Sequence, residues 1–429
     1  MGNINAVEIH PVGNLDADIV VPGSKSYTQR ALVAASLAHG NSVLHNVLLS
    51  EDTGHFIQAL RALGANILIS GGDITVDGTG GVLKAPEKLI HLGSNGTAMR
   101  FLASAACLAQ GHVTLTGDAR LCERPIRPLM TYLANLGVSF KYLKQEGFPP
   151  VEILAAGLKG GRLQIKNTES SQYISSLLLA APYAVGPVSL VLEGDIVSRP
   201  YIDMTVQVMA DFGVAVQEEK PGAYTVPVGP GFRGRDYIVE GDASSASYFF
   251  LAAMLCRGYV RVHNMNPNSR QGDMKLLDLI RDWGGEVTRG DHWIAVKGHK
   301  MKTGPLIVDM GDMPDMVPTA AVLAAFRDGV TEIRRVAHLR IKESNRLAAL
   351  VTELGRIGIK ARETADGLVI TGGKAHGATI QTYNDHRIAM SFAVAGLVVP
   401  GITIENPRCV HKSFPEFWEV FGQLGGKLA

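Results

Sequence analysis

The chain is poor in the features that mark secreted, membrane-bound or nucleic-acid-binding proteins. It has only four cysteines, Cys107, Cys122, Cys256 and Cys409, and no two form a C-x-x-C pair. That excludes a disulfide framework and a thiolate metal site, and it suits a reducing compartment. Charged residues make up 19%, below the usual ~25%. Lys+Arg exceed Asp+Glu by 41 to 40, so the net charge is +1. A dedicated nucleic-acid binder carries a basic excess, and this chain has none. No stretch of ~18 apolar residues escapes polar interruption, which argues against a membrane-spanning helix. The N-terminal MGNINAVEIHPVGNLDADIVVPG lacks a basic n-region and an apolar h-region, so no signal peptide is expected. The chain therefore reads as a soluble cytoplasmic protein. The 13 histidines are unclustered, and no H-E-x-x-H appears. No G-x-G-x-x-G opens a helix, and Gly23-Ser24-Lys25-Ser26 lacks the first glycine of a P-loop. No metal site and no cofactor is read from these motifs.

Apolar residues and glycine are plentiful instead. Hydrophobic residues make up 46%, enough for a large core, and there are 48 glycines among 429 residues. At roughly 150 residues per domain, two to three domains are expected. Six runs repeat one pattern: a small or polar opening, an Ala/Leu-rich stretch, a glycine, then β-rich sequence. They are SKSYTQRALVAASLAHG, NGTAMRFLASAACLAQG, SSQYISSLLLAAPYAVG, DASSASYFFLAAMLCRG, DMVPTAAVLAAFRDG and DHRIAMSFAVAGLVVPG. Their closing glycines, 40, 111, 186, 258, 329 and 401, recur every 71 to 75 residues. Glycine after an apolar helical run signals a left-handed C-cap. The runs are apolar around most of their circumference, so these helices are expected in the interior.

A second series has the same period. ALRALG, YLANLG, VMADFG, LIRDWG, LGRIG and FGQLG end at Gly64, Gly137, Gly213, Gly284, Gly358 and Gly425. These read as amphipathic helices, with hairpin signals such as NILISGGDITVDG and EVTRGDHWIAVKG after them. The fold class is α/β, built from six helix-and-sheet repeats of roughly 70 residues. The sixth repeat has no strand after Gly425, whereas the N-terminus offers AVEIHPV and DADIVVPG with no helix before them. The N-terminal strand is therefore expected to join the C-terminal repeats, making one domain discontinuous.

The openings of the six buried helices carry unusual residues: Ser24-Lys25-Ser26 with Arg30, Ser94-Asn95-Gly96-Thr97 with Arg100, Ser170-Ser171-Gln172, Asp242-Ala243-Ser244-Ser245, Asp312-Met313-Pro314-Asp315 and Asn384-Asp385-His386-Arg387. Ser, Asp and Asn are ordinary N-caps. Capping does not explain Lys25, Arg30, Arg100 or Arg387, because cations are unfavourable at the positive end of a helix dipole. They make sense where an anion is held by backbone N–H groups and side chains together. Three further clusters stand out: Cys122-Glu123-Arg124-Pro125-Ile126-Arg127, Arg340-Ile341-Lys342-Glu343-Ser344-Asn345-Arg346 and His411-Lys412-Ser413-Phe414-Pro415. Several Arg and Lys suit a ligand bearing both phosphate and carboxylate. Asp315 and Glu343, the carboxylates nearest these cations in the motifs, are candidates for proton transfer or for structural ion pairs.

Through these residues the chain resembles the 5-enolpyruvylshikimate-3-phosphate (EPSP) synthase family of enolpyruvyl transferases. The matching stretches are PGSKS with Arg30, GTAMR, ERPI, SSQY, SRPYID, EGDASSAS, PDMVPT, IKESNR, NDHRIAM and KSFPEF, in family order from Pro22 to Phe417. The resemblance implies two domains of the inside-out α/β barrel type, each with three repeats, and an active site in the cleft between them. The expected division is 1–22 plus 241–429 for one domain and 23–240 for the other. It implies transfer of the enolpyruvyl group of phosphoenolpyruvate to the 5-hydroxyl of shikimate 3-phosphate, with release of phosphate, on the way to chorismate and the aromatic amino acids. No metal or organic cofactor is implied, the expected partners are these two small molecules, and the expected state is a monomer.

Residue by residue, the resemblance implies that Ser170, Ser171, Ser198 and Lys342 hold the shikimate phosphate. Ser26 and Arg30 hold its carboxylate, Gln172 and Tyr201 lie against its ring, and His338 stands where many members have an Asn that contacts it. Arg346 and Arg387 take the phosphoenolpyruvate carboxylate. Lys25, Arg124, Lys412 and the Gly96 amide take its phosphate, with Asn95 and Gln172 beside it. Asp315 accepts the 5-hydroxyl proton, Glu343 delivers a proton to the methylene carbon, and Lys25 and His386 complete the catalytic group. The chain departs from the commonest family pattern at Ser94-Asn95, Phe101, His338 and Asn345, the last removing a carboxylate beside Arg346. It keeps Gly96, which implies sensitivity to the inhibitor glyphosate. A sibling carboxyvinyl transferase acting on a UDP-amino sugar uses a cysteine near the position of Cys122, but its G-A-K-N opening is missing here. A non-catalytic module binding RNA or another polyanion is disfavoured by the neutral charge and the 6% aromatic content.

Overall fold

Six buried helices organise the molecule: Lys25–Leu37, Gly96–Ala105, Ser171–Ala180, Ala243–Cys256, Val317–Ala325 and His386–Gly396. The computed structural model describes residues 5–426. The chain divides into two units, Met1–Ser24 with Glu240–Ala429, and Lys25–Val239. Each unit holds three of the buried helices, which pack on one another, and each has its own hydrophobic core. These helices are rich in Ala and Ser, so their backbones approach closely. The Ala243–Cys256 helix is buried along its length except at its last two residues. Hydroxyl pairs join neighbouring helices at matching places in the two units, Ser104 with Ser176 and Ser247 with Thr319, each pair 72 residues apart.

Every repeat runs from its buried helix into a strand, then a second helix or turn, then in five of six cases a hairpin. In the second repeat the sheet order is Ile90–His91, Gly111–Thr116, Val151–Ala155, Ser139–Tyr142, with the first pair parallel and the others antiparallel. The third and fifth sheets follow the same plan. The first and fourth obtain their leading strand by exchange. Asp16–Val20 precedes the first buried helix, yet it pairs in parallel with Tyr259–His263 of the fourth repeat. Asp236–Ile238 precedes the fourth buried helix, yet it pairs in parallel with Asn41–His45 of the first. Each unit thereby completes three sheets, although only the unit of Met1–Ser24 and Glu240–Ala429 is assembled from two chain segments. The sixth sheet has no hairpin of its own, and Ala6–Ile9 fills that position, antiparallel to Ile402–Glu405. Gly23 and Ser24 stay with the first unit rather than opening the inserted one, because Ser24 N donates to Glu240 O at 2.8 Å and Gly23 bridges Gly241.

All six glycines of the second series are left-handed, with φ from +84° to +106°. Those of the first series are not uniformly so: Gly186 and Gly258 lack a positive φ, and Arg257 takes the left-handed position at +51°. The buried helices end before those glycines, which serve the turn into the next strand instead. At Gly258 the requirement is space, since a Cβ would meet Leu15 O at 2.3 Å. Among the described residues no helix is long and apolar enough to cross a membrane.

Candidate active site

Within the unit Lys25–Val239, the candidate residues gather on the first turns of its three buried helices and the loops beside them. Lys25 Nζ donates to Asp52 Oδ2 at 3.3 Å. Arg30 is 2% exposed and is fixed by three short bonds: Nε to Thr205 Oγ1 at 2.8 Å, Nη1 to Ser26 O at 2.9 Å and Nη2 to Tyr201 O at 3.0 Å. Its guanidinium also lies over the Phe101 ring, 5.2 Å from the centroid. Burial pulls it down to about 10, which leaves it charged at neutral pH. Asn95 is the N-cap of the second helix; its Oδ1 accepts from Ala98 N at 2.9 Å and its Nδ2 donates to Asp52 O at 2.8 Å. Its side chain is thus engaged within the protein at both ends. Gly96, the next residue, faces the buried Arg124, and a Cβ there would stand 2.5 Å from Arg124 Cζ.

Arg100 has a different task from the one its place in the opening suggested. Its Nη1 donates to Gly96 O at 3.1 Å and its Nη2 to Pro125 O at 2.9 Å, while Tyr173 Oη donates to the same Pro125 carbonyl at 3.0 Å. Arg100 is therefore a tie between the helix and the loop that carries Arg124. In the third helix Ser170 is the N-cap, accepting from Gln172 N at 3.3 Å, and Ser171 is buried behind it. Gln172 Nε2 reaches Thr97 Oγ1 at 3.1 Å and joins two openings. Ser198 is buried in a left-handed turn at φ +58°, and its carbonyl accepts from Tyr201 N at 3.1 Å.

In the other unit the centre is Arg346, 1% exposed at the start of the Arg346–Arg356 helix. It binds three carboxylates: Asp385 through Nε at 2.8 Å, Glu343 through Nη2 at 2.8 Å and Asp315 through Nη1 at 2.9 Å. Asp315 also accepts from Arg387 Nη2 at 2.8 Å, so each of its oxygens meets a guanidinium. Burial would raise the Asp315 carboxyl, but Arg387, Arg346 and Lys342 outweigh it and hold the group well below the usual carboxylate range. Burial alone would lower Arg346, and its three carboxylates reverse that. His338 is 8% exposed and is pushed down to about 3 by burial and then by Lys342. His386 is buried, with Nδ1 at 3.9 Å from Asp385 Oδ1. Lys412 is buried in the turn Pro407–Lys412, while Lys342 and Glu343 are half-buried.

Four supporting residues escaped the sequence reading. Asp385 caps its own helix by accepting from Arg387 N at 3.0 Å and also holds Arg346 and Ser344. Only its capping role is visible in NDHR. Asp52 supports Lys25 and Asn95 from an amphipathic helix whose acidic first turn looks ordinary. Gln271 and Asp273 approach the fourth buried helix from a loop with no periodicity. Gln271 Oε1 accepts from Ala243 N at 3.0 Å, and Asp242 accepts from Ser245 N at 2.7 Å. The Ala243 and Ser245 amides of the fourth helix opening are thus satisfied by protein groups.

A family model described as EPSP synthase (3-phosphoshikimate 1-carboxyvinyltransferase) matches residues 9–421. The chain belongs to the EPSP synthase family. A relative from Methanothermobacter thermautotrophicus named 3-phosphoshikimate 1-carboxyvinyltransferase is 43% identical over 417 residues, 97% of each chain. One of the same name from Photobacterium profundum is 39% identical over 426 residues, 98% of this chain and 99% of the relative. The solved structure of EPSP synthase from Acinetobacter baumannii superposes with a TM-score of 0.82 at 28% identity, covering 99% of both chains. The two-domain enolpyruvyl transferase fold of the EPSP synthase family is thereby shared.

Two of the departures from the family pattern have local explanations. Asn345 is an N-cap, accepting from Ala348 N at 3.3 Å, so it supports the helix rather than Arg346, which Asp385 orients. Phe101 provides the ring beneath Arg30.

Proposed function

We infer that this chain transfers the enolpyruvyl group of phosphoenolpyruvate to the 5-hydroxyl of shikimate 3-phosphate, releasing phosphate, in the biosynthesis of aromatic amino acids. The observation that carries the site assignment is the Asp315 carboxylate held between Arg346 and Arg387. Both guanidinium groups are buried, and they form a fork suited to a carboxylate. In the proposed cycle the phosphoenolpyruvate carboxylate takes over that fork. Asp315 then loses the cations that suppress its basicity, and it becomes a competent base for the 5-hydroxyl proton. Binding of one substrate thus arms the base for the other.

Glu343 adds a proton to the methylene carbon, the hydroxyl oxygen attacks C2, and a tetrahedral adduct forms. Loss of a methyl proton and expulsion of phosphate then give the product. Lys25, Arg124, Lys412 and the Gly96 amide bind the departing phosphate and stabilise its charge. Asn95 acts in that group through the helix it caps, and His386 acts beside Glu343. Ser26 and Arg30 bind the shikimate carboxylate; Ser170, Ser171, Ser198 and Lys342 bind its phosphate; Gln172, Tyr201 and His338 border its ring. Glyphosate, which carries a carboxylate and a phosphonate, belongs at the phosphoenolpyruvate group of this reading. The same proposal includes a monomeric, cytoplasmic enzyme.

Phosphate release decides the assignment. It is expected with shikimate 3-phosphate as acceptor and not with a UDP-amino sugar; the reverse result overturns it. A glyphosate inhibition constant far above the KM for phosphoenolpyruvate would remove the inhibitor from the proposal.

A further inference from the structure

One buried carboxyl has no part in the scheme above. Asp273 lies in the one-turn helix Gly272–Lys275 and is 5% exposed. That turn packs against the Ala243–Cys256 helix and against the turn Pro314–Met316, which carries Asp315. Ser244, on the first turn of that helix, donates its hydroxyl to Asp273 Oδ2. Gln271, two residues earlier, pins the approach: besides accepting from Ala243 N, its Nε2 donates to Glu240 Oε1 and to Gly241 O, each at 2.8 Å. Asp273 is thus framed by fixed groups.

Among the ionisable groups that act on Asp273, Asp315 and Asp242 oppose a second anion and Arg387 favours one. Burial weighs most, and the balance pushes Asp273 up to about 7. Asp315 is clamped by two guanidinium groups and stays ionised. Two interacting acids in such unequal surroundings divide their protons unequally.

We propose that Asp273 is a positioning residue of the transfer reaction: it and the half-buried Asp315 form a carboxyl pair that carries one proton, and by keeping that proton Asp273 leaves the charge of Arg387 for the phosphoenolpyruvate carboxylate. The proposal rests on the reading of Asp315 and Arg387 given above. A second anion at Asp273 would partly neutralise Arg387 and repel the incoming carboxylate, so its cost falls on substrate binding. A merely structural Asp273 would alter stability without a pH-dependent KM.

The test is the KM for phosphoenolpyruvate against pH, with saturating shikimate 3-phosphate, in the unsubstituted enzyme and in Asp273→Asn. The amide resembles the protonated acid and cannot ionise. In the unsubstituted enzyme the KM is expected to rise about fivefold or more between about pH 6.5 and about pH 8.5, with a smaller change in kcat. In Asp273→Asn that rise is expected to disappear. The substrates' own ionisations move both enzymes alike, so the difference between the curves is the readout. Ser244→Ala removes a hydrogen bond to the anion and is expected to move the rise to higher pH. Superimposable KM curves for Asp273→Asn and the unsubstituted enzyme overturn the proposal. If Asp273→Asn does not fold, the aspartate carboxyl ¹³C shifts of the unsubstituted enzyme decide it: one group titrating near neutral pH supports the pair, and none overturns it. Asp315→Asn, measured alongside, separates the two readings. If that variant keeps its kcat, the base assignment fails whatever the Asp273 curves show.

Discussion

Gly96 stands against the guanidinium of Arg124 with no room for a side chain: a Cβ would lie 2.5 Å from both Cζ and Nη1. Its backbone needs no left-handed conformation, so the constraint at this position is the space that the Arg124 guanidinium occupies. Arg100 bonds to the Gly96 and Pro125 carbonyls, holding the helix and the Arg124 loop together. A methyl group at position 96 must therefore push Arg124 aside rather than move the loop as a whole. Gly96→Ala is expected to raise the KM for phosphoenolpyruvate by about tenfold or more, with little change in shikimate 3-phosphate binding. Steady-state kinetics with each substrate varied would check it. An equal loss for both substrates would count against the placement of Arg124 at the phosphoenolpyruvate phosphate.

Asp315→Asn tests the base directly. The amide can still accept from one guanidinium, but it cannot take up the 5-hydroxyl proton. A loss in kcat of about 10² to 10⁴-fold is expected, the usual range for removal of a positioned base. Phosphoenolpyruvate binding should weaken less, and it can tighten, because Arg346 and Arg387 lose an internal competitor. Stopped-flow kinetics with calorimetric binding would separate the two effects. A fall in affinity with unchanged kcat would assign Asp315 to binding alone.

How much of this architecture the sequence discloses depends on whether the cause is local. The period of roughly 70 residues is local: six left-handed glycines end the outer helices, and each follows from helix chemistry at its own position. The pairing of Ala6–Ile9 with Ile402–Glu405 follows from counting, since the last repeat lacks a strand and the first has one to spare. The exchange of Asp16–Val20 and Asp236–Ile238 between repeats is not local, and nothing in DADIV or DYI specifies a partner. Cations at helix openings were legible as a group but not individually. Arg100 and Arg124 look alike in the chain, yet one bonds carbonyls and the other faces Gly96. Arg346 meets three carboxylates from three segments, and only Glu343 lies within one helical turn of it. Asp273 gives no signal at all, because its meaning comes from what packs around it.

Cys122 is the residue on which the rival reading, a carboxyvinyl transferase that depends on a cysteine, turns. It ends the short helix Ala119–Cys122, and its thiol turns toward Gly117 O at 3.4 Å. Cys122→Ala removes one sulfur from a half-buried site and no charge. Its kcat and KM values are expected to stay within about twofold of the unsubstituted enzyme, as for a substitution away from the chemistry. Thiol-directed inactivation that phosphoenolpyruvate blocks, together with a dead Cys122→Ala, would restore the rival reading.

His338 sets an acid limit on stability. It is 8% exposed, and its Nε2 has no hydrogen-bond partner among the described residues. Burial and then Lys342 push it down to about 3 from an ordinary value of 6.5. The unfolded chain therefore binds a proton across that interval and the folded chain does not, so stability falls as pH drops below about 6.5 and continues falling toward about 3. Asp315 acts in the same direction, but only below the ordinary carboxylate value of 3.8. His338→Asn removes the imidazole and its contribution to this pH dependence. Between about pH 6.5 and pH 4.5 the unsubstituted enzyme should lose up to about 1.4 kcal/mol per pH unit relative to the variant. Urea unfolding at three pH values in that window would measure the difference. Parallel losses in the two proteins would mean that His338 is already protonated in the folded enzyme, with Lys342 turned away from it.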